Sequence, residues 1–187
     1  MAAGRFRARD LLLVPGLLSL SRVPLALVFA WLVRWPYAAL AVLVVAGITD
    51  VLDGWLARRL GQVTETGVVL DGITDKLFGF GVAVALLLAS ELTVFQVLLL
   101  SARELGEAPL VVWYAANAPA RGARAKNPAA NLLGKLATAL QFVAIAAVLL
   151  AVPHAGLAVA ATGVAGAVAA LAYWRRALRI HGNARRA

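Results

Sequence analysis

The chain's 187 residues are 63% hydrophobic and carry a formal net charge of +9, which gives more apolar surface than a soluble domain of this size can bury. It contains no cysteine, which excludes disulfides, thiolate metal sites and a cysteine nucleophile. In so apolar a chain the positive charge indicates loops that face anionic lipid headgroups, and we expect no nucleic-acid partner. We therefore expect an all-α integral membrane protein.

The chain opens on a basic segment, Met1–Asp10, which contains Arg5, Arg7 and Arg9. The apolar residues that follow are interrupted by proline and polar side chains and contain no clear cleavage site. We interpret the segment as a short N-terminal interfacial helix leading into the first span, and not as a cleaved leader.

Six apolar stretches approach the length of a membrane helix, which needs about 20 residues. Polar or proline-containing breaks separate them, and no separate soluble domain is indicated. We therefore predict six transmembrane helices in a single membrane-embedded domain over residues 1–187. The predicted spans are Leu17–Leu32, Ala38–Arg58, Gly67–Ala89, Leu92–Ala115, Leu132–Ala151 and Ala155–Trp174.

Six spans place both termini on one side of the membrane, and most of the basic residues fall on that side. They are Arg5, Arg7, Arg9, Arg58, Arg59, Arg121, Arg124, Lys126, Arg175, Arg176, Arg179, Arg185 and Arg186. The opposite side has only Arg34. The positive-inside rule then predicts a multi-pass protein of the cell inner or plasma membrane with both termini in the cytoplasm.

Four of the five aspartates lie close together in the chain, in the second and third predicted spans. Asp50 and Asp53 are three residues apart, and Asp71 and Asp75 are four apart, so each pair shares one helix face. A short polar connection predicts that the two helices are antiparallel neighbours. All four carboxylates can then converge at the cytoplasmic end of the pair.

Such a cluster is costly without cations, because two carboxylates about 5 Å apart repel by roughly 3 kcal/mol at an effective dielectric near 20. Two divalent cations would neutralise the set, and oxygen ligands favour magnesium or manganese over zinc. A salt-bridged polar patch is the alternative, although ionisable groups inside membrane helices are usually functional. A divalent-cation carrier is a further alternative, but its site is expected near the midplane and not at one end.

Small residues accompany the acidic ones. Gly54 and Ala57 flank Asp53 on its helix, and Gly67 lies one turn before Asp71. They favour close helix packing, room for a flat ligand, or both. Arg58, at the same end of its helix, could meet a phosphate group.

Together these residues resemble the signature of the CDP-alcohol phosphotransferase family. The matching positions are Asp50, Asp53, Gly54, Ala57, Arg58, Gly67, Asp71 and Asp75. The start of the first span differs from the residues that are usual in the family. Gly16 stands where asparagine is frequent, and Ser19 stands where threonine is frequent.

The resemblance implies that the four aspartates hold magnesium or manganese, two ions in all, and that Asp75 is also the general base on the acceptor hydroxyl. It implies a CDP-binding pocket of Gly54, Ala57, Arg58 and Gly67, to which we add Ser19. The expected donor is CDP-diacylglycerol, with release of CMP. The family also implies a homodimer.

Arg103, Arg121 and Lys135 are the predicted acceptor-binding residues. The stretches around Arg103 and Lys135 resemble those of the family's phosphatidylglycerophosphate synthases, which makes glycerol 3-phosphate the first choice of acceptor. Cardiolipin synthases are similar here too, so phosphatidylglycerol is an alternative, and inositol phosphate is another. Ordinary positive-inside charge is the competing interpretation of Arg121. Arg103 and Lys135 could instead neutralise Glu104 and Glu107.

Overall fold

The computed structural model describes residues 13–116 and 132–184, and all regular secondary structure in these ranges is α-helical. The predicted all-α class is confirmed. The predicted interfacial helix, within Met1–Asp10, lies outside the described residues. The helices are α1 (Val14–Leu32), α2 (Pro36–Arg59), α3 (Glu65–Leu88), α4 (Val94–Leu100), α5 (Ala102–Ala116), α6 (Leu132–Leu149) and α7 (Ala155–Ala184). They divide into two compact units, one containing α1–α3 and the other α4–α7.

Three of the described helices are long and apolar enough to cross a membrane. They are Val14–Leu32, Pro36–Arg59 and Ala155–Arg179, with 19, 24 and 25 residues. The apolar part of α6, Leu133–Leu149, is shorter. The count of six spans and the orientation in the membrane stay predictions.

In the first unit, α1 packs against both α2 and α3. The sequence predicted that α2 and α3 would be direct neighbours, whereas each of them packs chiefly against α1. The connection between them is short, as expected. Gly61 has a φ of +64°, a conformation that glycine adopts without steric cost. Thr64 then begins α3, its Oγ1 accepting a hydrogen bond from the Gly67 nitrogen at 3.0 Å.

In the second unit, α7 packs against α4, α5 and α6. The fourth predicted span, Leu92–Ala115, is divided in the structure at Ser101. Thr93 and Gln96 form a capping box that begins α4, and Ser101 ends it. At this junction α7 approaches very closely, since a Cβ on Gly166 would lie 2.9 Å from the Arg103 backbone nitrogen.

Candidate active site

Three aspartates meet in the first unit. One carboxylate oxygen from each of Asp50, Asp53 and Asp71 lies within 4.8 Å of the others. Asp53 is buried, Asp71 is half-buried and Asp50 is exposed, so the cluster extends from the helix packing toward the surface. The three groups could hold a metal ion, and oxygen donors suit magnesium or manganese.

Arg22 of α1 joins these carboxylates. Its Nη2 lies 2.8 Å from Asp50 Oδ1 and 2.6 Å from Asp53 Oδ2, and its Nη1 lies 2.8 Å from Asp71 Oδ1. The side chain is only 1% exposed. Since α2 and α3 pack chiefly on α1, this guanidinium is the link that brings their carboxylates together.

Sequence reasoning gave Arg22 no role, although a signal was present. It is the only charged residue of α1, near the middle of an apolar helix. A cation in that position costs about 2.5–3.5 kcal/mol on insertion scales and therefore calls for an acidic partner. The partners lie 28, 31 and 49 residues away in the sequence, at Asp50, Asp53 and Asp71.

Ser19 lies one turn before Arg22 and is also buried. Its Oγ is 3.0 Å from Asp53 Oδ2 and 3.1 Å from the carbonyl oxygen of Pro15. Asp53 Oδ2 thus receives hydrogen bonds from both Ser19 and Arg22. These contacts fix the orientation of the most buried of the three carboxylates.

A cavity of about 320 Å³ adjoins the cluster. Every residue predicted to bind CDP lines it: Ser19, Gly54, Ala57, Arg58 and Gly67. Asp53 and Asp71 line it too, so the cavity opens directly onto the carboxylates. It is large enough for part of a nucleotide, with Arg58 available for a phosphate.

Four further lining residues were missed: Pro15, Gln62, Val63 and Thr64. Three of them belong to the connection between α2 and α3, which the sequence suggested only as a polar break. Their position between Arg58 and Gly67, both predicted pocket residues, was the available signal. The Gln62 Oε1 atom is buried and has no hydrogen-bond partner within the described part of the chain.

Asp75 is one turn beyond Asp71 on α3 and is exposed. It is not a member of the group of three whose oxygens lie within 4.8 Å. Its carboxylate nevertheless lies within electrostatic range of Asp50. Asp75 is therefore an exposed carboxylate that lies near the group of three without belonging to it.

The predicted acceptor residues belong to the second unit or lie outside the described residues, as Arg121 does. Arg103 is partly buried, and its Nη1 donates to the Gly134 carbonyl oxygen at 3.0 Å and to Thr138 Oγ1. Its other nitrogens lie 3.4 Å from Glu104 and 3.5 Å from Glu107.

Lys135 is exposed and follows Gly134 directly in the first turns of α6. Because Arg103 holds the Gly134 carbonyl oxygen, it also fixes the backbone from which the Lys135 side chain extends. The hydrogen bond from Arg103 thus ends at the residue that precedes Lys135 in the chain.

The fold and the site together define an all-helical protein with helices of membrane-spanning length and a carboxylate cluster that opens onto a ligand-sized cavity. The chain belongs to the CDP-alcohol phosphatidyltransferase family, whose profile matches residues 12–174. The protein is therefore an enzyme of that class, as the signature predicted, and the cation-carrier alternative is wrong.

Two similar relatives are the CDP-diacylglycerol–glycerol-3-phosphate 3-phosphatidyltransferases of Escherichia coli (strain K12) and Shigella flexneri serotype 5b (strain 8401). Each is 36% identical to this chain over 143 residues, which cover 71% of this chain and 74% of the relative.

Proposed function

We propose that the protein transfers the phosphatidyl group of CDP-diacylglycerol to a hydroxyl of glycerol 3-phosphate, giving phosphatidylglycerophosphate and CMP. The observation that carries this proposal is the cavity that joins Arg58 and the small residues of α2 and α3 to the aspartate cluster. A CDP group needs both parts, a recess for the nucleoside and a cationic site for the diphosphate.

The carboxylate cluster supports a divalent-metal requirement. Asp50, Asp53 and Asp71 carry three negative charges against the single positive charge of Arg22, and Asp75 adds a fourth negative charge. These residues would hold two magnesium or manganese ions, which when bound neutralise the diphosphate and stabilise the leaving CMP.

On the donor side, the chain's own residues bind and orient. Arg58 meets a phosphate oxygen of the CDP group, while Gly54, Ala57 and Gly67 leave space for the nucleoside. Ser19 holds the Asp53 carboxylate in place by a hydrogen bond. This arrangement fixes the diphosphate so that its lipid-side phosphorus faces the second substrate.

On the acceptor side, Asp75 acts as the general base. The acceptor oxygen attacks the lipid-side phosphorus, the bond from that phosphorus to the oxygen of CMP breaks, and the hydroxyl proton passes to Asp75. The exposure of this carboxylate supports the role, because the acceptor must reach it from outside the cluster.

The choice of glycerol 3-phosphate is supported by the names of the relatives, which specify that acceptor. Lys135, exposed at the start of α6, would bind the acceptor phosphate together with Arg121. Arg103 contributes by fixing the Gly134 carbonyl oxygen next to Lys135.

The membrane setting belongs to the same proposal. Six spans with both termini and the catalytic site on the cytoplasmic side give a water-soluble acceptor access from the cytoplasm. A homodimer remains our prediction from the family resemblance. It is tested by the mass of the purified, detergent-solubilised protein.

An acceptor panel tests the reaction. Purified protein with CDP-diacylglycerol and magnesium is given glycerol 3-phosphate, phosphatidylglycerol, inositol 1-phosphate or serine, and CMP and the lipid product are measured. We expect CMP release with glycerol 3-phosphate and none after chelation of the metal. Formation of cardiolipin from phosphatidylglycerol would contradict the choice of glycerol 3-phosphate as the acceptor. Full activity with excess chelator would contradict the proposed metal requirement.

A further inference from the structure

Arg22 occupies an unusual position for an arginine in an enzyme that uses metal ions. Its two terminal nitrogens lie 2.6–2.8 Å from oxygens of three carboxylates on two other helices. These are the same three residues whose oxygens could hold a metal ion. The Arg22 guanidinium and a metal ion from solution would therefore interact with the same carboxylates.

The guanidinium cannot readily leave the cluster. It is 1% exposed, and α1 packs against both of the helices that carry its partners. Its Nε is buried without a hydrogen-bond partner among the described residues, so the polar contacts that the guanidinium makes there are those to the three carboxylates. Arginine also keeps its charge at any accessible pH.

The charges at the site do not balance when every cation is present. Two divalent ions and Arg22 carry five positive charges, and Asp50, Asp53, Asp71 and Asp75 supply only four negative ones. A bound diphosphate supplies further negative charge. Full metal occupancy is therefore favoured when a CDP group is bound and disfavoured when the cavity is empty.

We propose that Arg22 is a built-in counter-ion that weakens metal binding to the substrate-free enzyme and thereby makes metal binding depend on the CDP group. This proposal rests on the metal site of the proposed function. In the metal-free protein, the same guanidinium relieves the repulsion between the carboxylates and holds α2 and α3 to α1.

The test is a direct measurement of metal affinity, without turnover. Chelator-treated, detergent-purified wild type and Arg22→Gln are titrated with Mn²⁺, and free Mn²⁺ is followed by electron paramagnetic resonance, with and without cytidine diphosphate. We expect Arg22→Gln to bind Mn²⁺ roughly tenfold more tightly than wild type without nucleotide, because a cation close to the ligands has been removed. Cytidine diphosphate should then tighten binding in the wild type more than in the variant.

Arg59→Gln is the matched control, since it removes the same charge from the same unit. Arg59 is exposed and lies over the Trp55 ring at 4.8 Å. Its removal should leave the Mn²⁺ affinity unchanged.

The outcomes separate the two proposals. If Arg22→Gln binds Mn²⁺ as the wild type does, or more weakly, the counter-ion role is overturned while the metal site stands. If the wild type binds no Mn²⁺ even with cytidine diphosphate, the metal site of the proposed function fails.

Should Arg22→Gln not fold, Arg22→Lys replaces it, because lysine keeps a charge but cannot span three carboxylates with a planar fork. We expect its Mn²⁺ affinity to be about threefold tighter than that of the wild type. Weaker binding would mean that Arg22 mainly orients the ligands, which contradicts the proposal.

Discussion

Each compact unit contains an arginine whose side chain contacts other helices of the same unit, and the two arginines differ in the groups that they contact. Arg22 meets three carboxylates on two other helices, whereas Arg103 meets a carbonyl and a hydroxyl on α6 and two glutamates of its own helix. Arg22 is 1% exposed and Arg103 is 20% exposed. The first arginine is therefore part of a charged centre of net negative charge, and the second chiefly contacts neutral groups.

The two units also differ in the residues that each contributes to the proposed function. The α1–α3 unit contains the cavity and the carboxylates, which are the elements that a CDP group requires. The α4–α7 unit contains Lys135, an exposed residue that we propose as a ligand of the acceptor phosphate. The predictions below separate the two units, beginning with the largest effect.

The largest effect is expected from Asp75→Asn in the first unit. It removes the proposed base and should lower CMP release by about 10³-fold, within the range usual for loss of a general base. The matched control is Glu91→Gln, which neutralises an exposed carboxylate in the turn after α3 and should keep the wild-type rate. Wild-type CMP release by Asp75→Asn would refute the base assignment.

The two arginines should differ in their contribution to stability. Without metal, Arg22→Gln should lower the free energy of unfolding by about 3 kcal/mol, the low end for a broken buried ion pair, because two of its partners are partly exposed. Arg103→Gln should cost about 1–2 kcal/mol, since its firmest contacts are hydrogen bonds to neutral groups. Thermal unfolding in detergent with chelator measures both, and a larger loss for Arg103→Gln would reverse our comparison.

Arg58 and Arg59 provide a test within a single helix turn. Arg58 lines the cavity, while Arg59 lies over Trp55. We expect Arg58→Ala to raise the KM for CDP-diacylglycerol about tenfold through loss of a charge-assisted phosphate contact. Arg59→Ala should leave that KM unchanged. Equal effects of the two substitutions on that KM would contradict the proposed role of Arg58 in binding the donor.

The smallest effect is expected at Lys135, because it is exposed and its ion pair with a phosphate is screened by solvent. Lys135→Ala should raise the KM for glycerol 3-phosphate by about fivefold, with the KM for CDP-diacylglycerol unchanged. Steady-state kinetics with each substrate varied in turn measures this. If only the KM for CDP-diacylglycerol changed, the proposed role of Lys135 in acceptor binding would be wrong.

Much of the first unit could be predicted from the sequence. The spacing of the four aspartates placed each pair on one helix face, since helical periodicity is local, and predicted that all four converge. Asp50, Asp53 and Asp71 do meet, whereas Asp75 lies outside that group. The cavity residues Gly54, Ala57, Arg58 and Gly67 followed from the family signature. The aspartates and the signature residues all lie in α2 and α3, which follow each other directly in the sequence.

Arg22 could not be placed in the same way. Its contacts depend on how α1 packs against α2 and α3, and the sequence suggested that α2 and α3 would contact each other directly. The division at Ser101 was missed for a related reason. It accompanies the close approach of Gly166 to the Arg103 backbone, which is a tertiary contact between residues far apart in sequence.

Arg22 also bears on how the first unit enters a membrane. A lone guanidinium near the middle of α1 costs about 2.5–3.5 kcal/mol in a bilayer, which makes α1 a weak span on its own. Its partners on α2 and α3 are synthesised later, and the last of them, Asp71, lies beyond the turn that follows α2. We therefore expect that α1 is more stable in a membrane when it is packed against α2 and α3, whose carboxylates pair with Arg22.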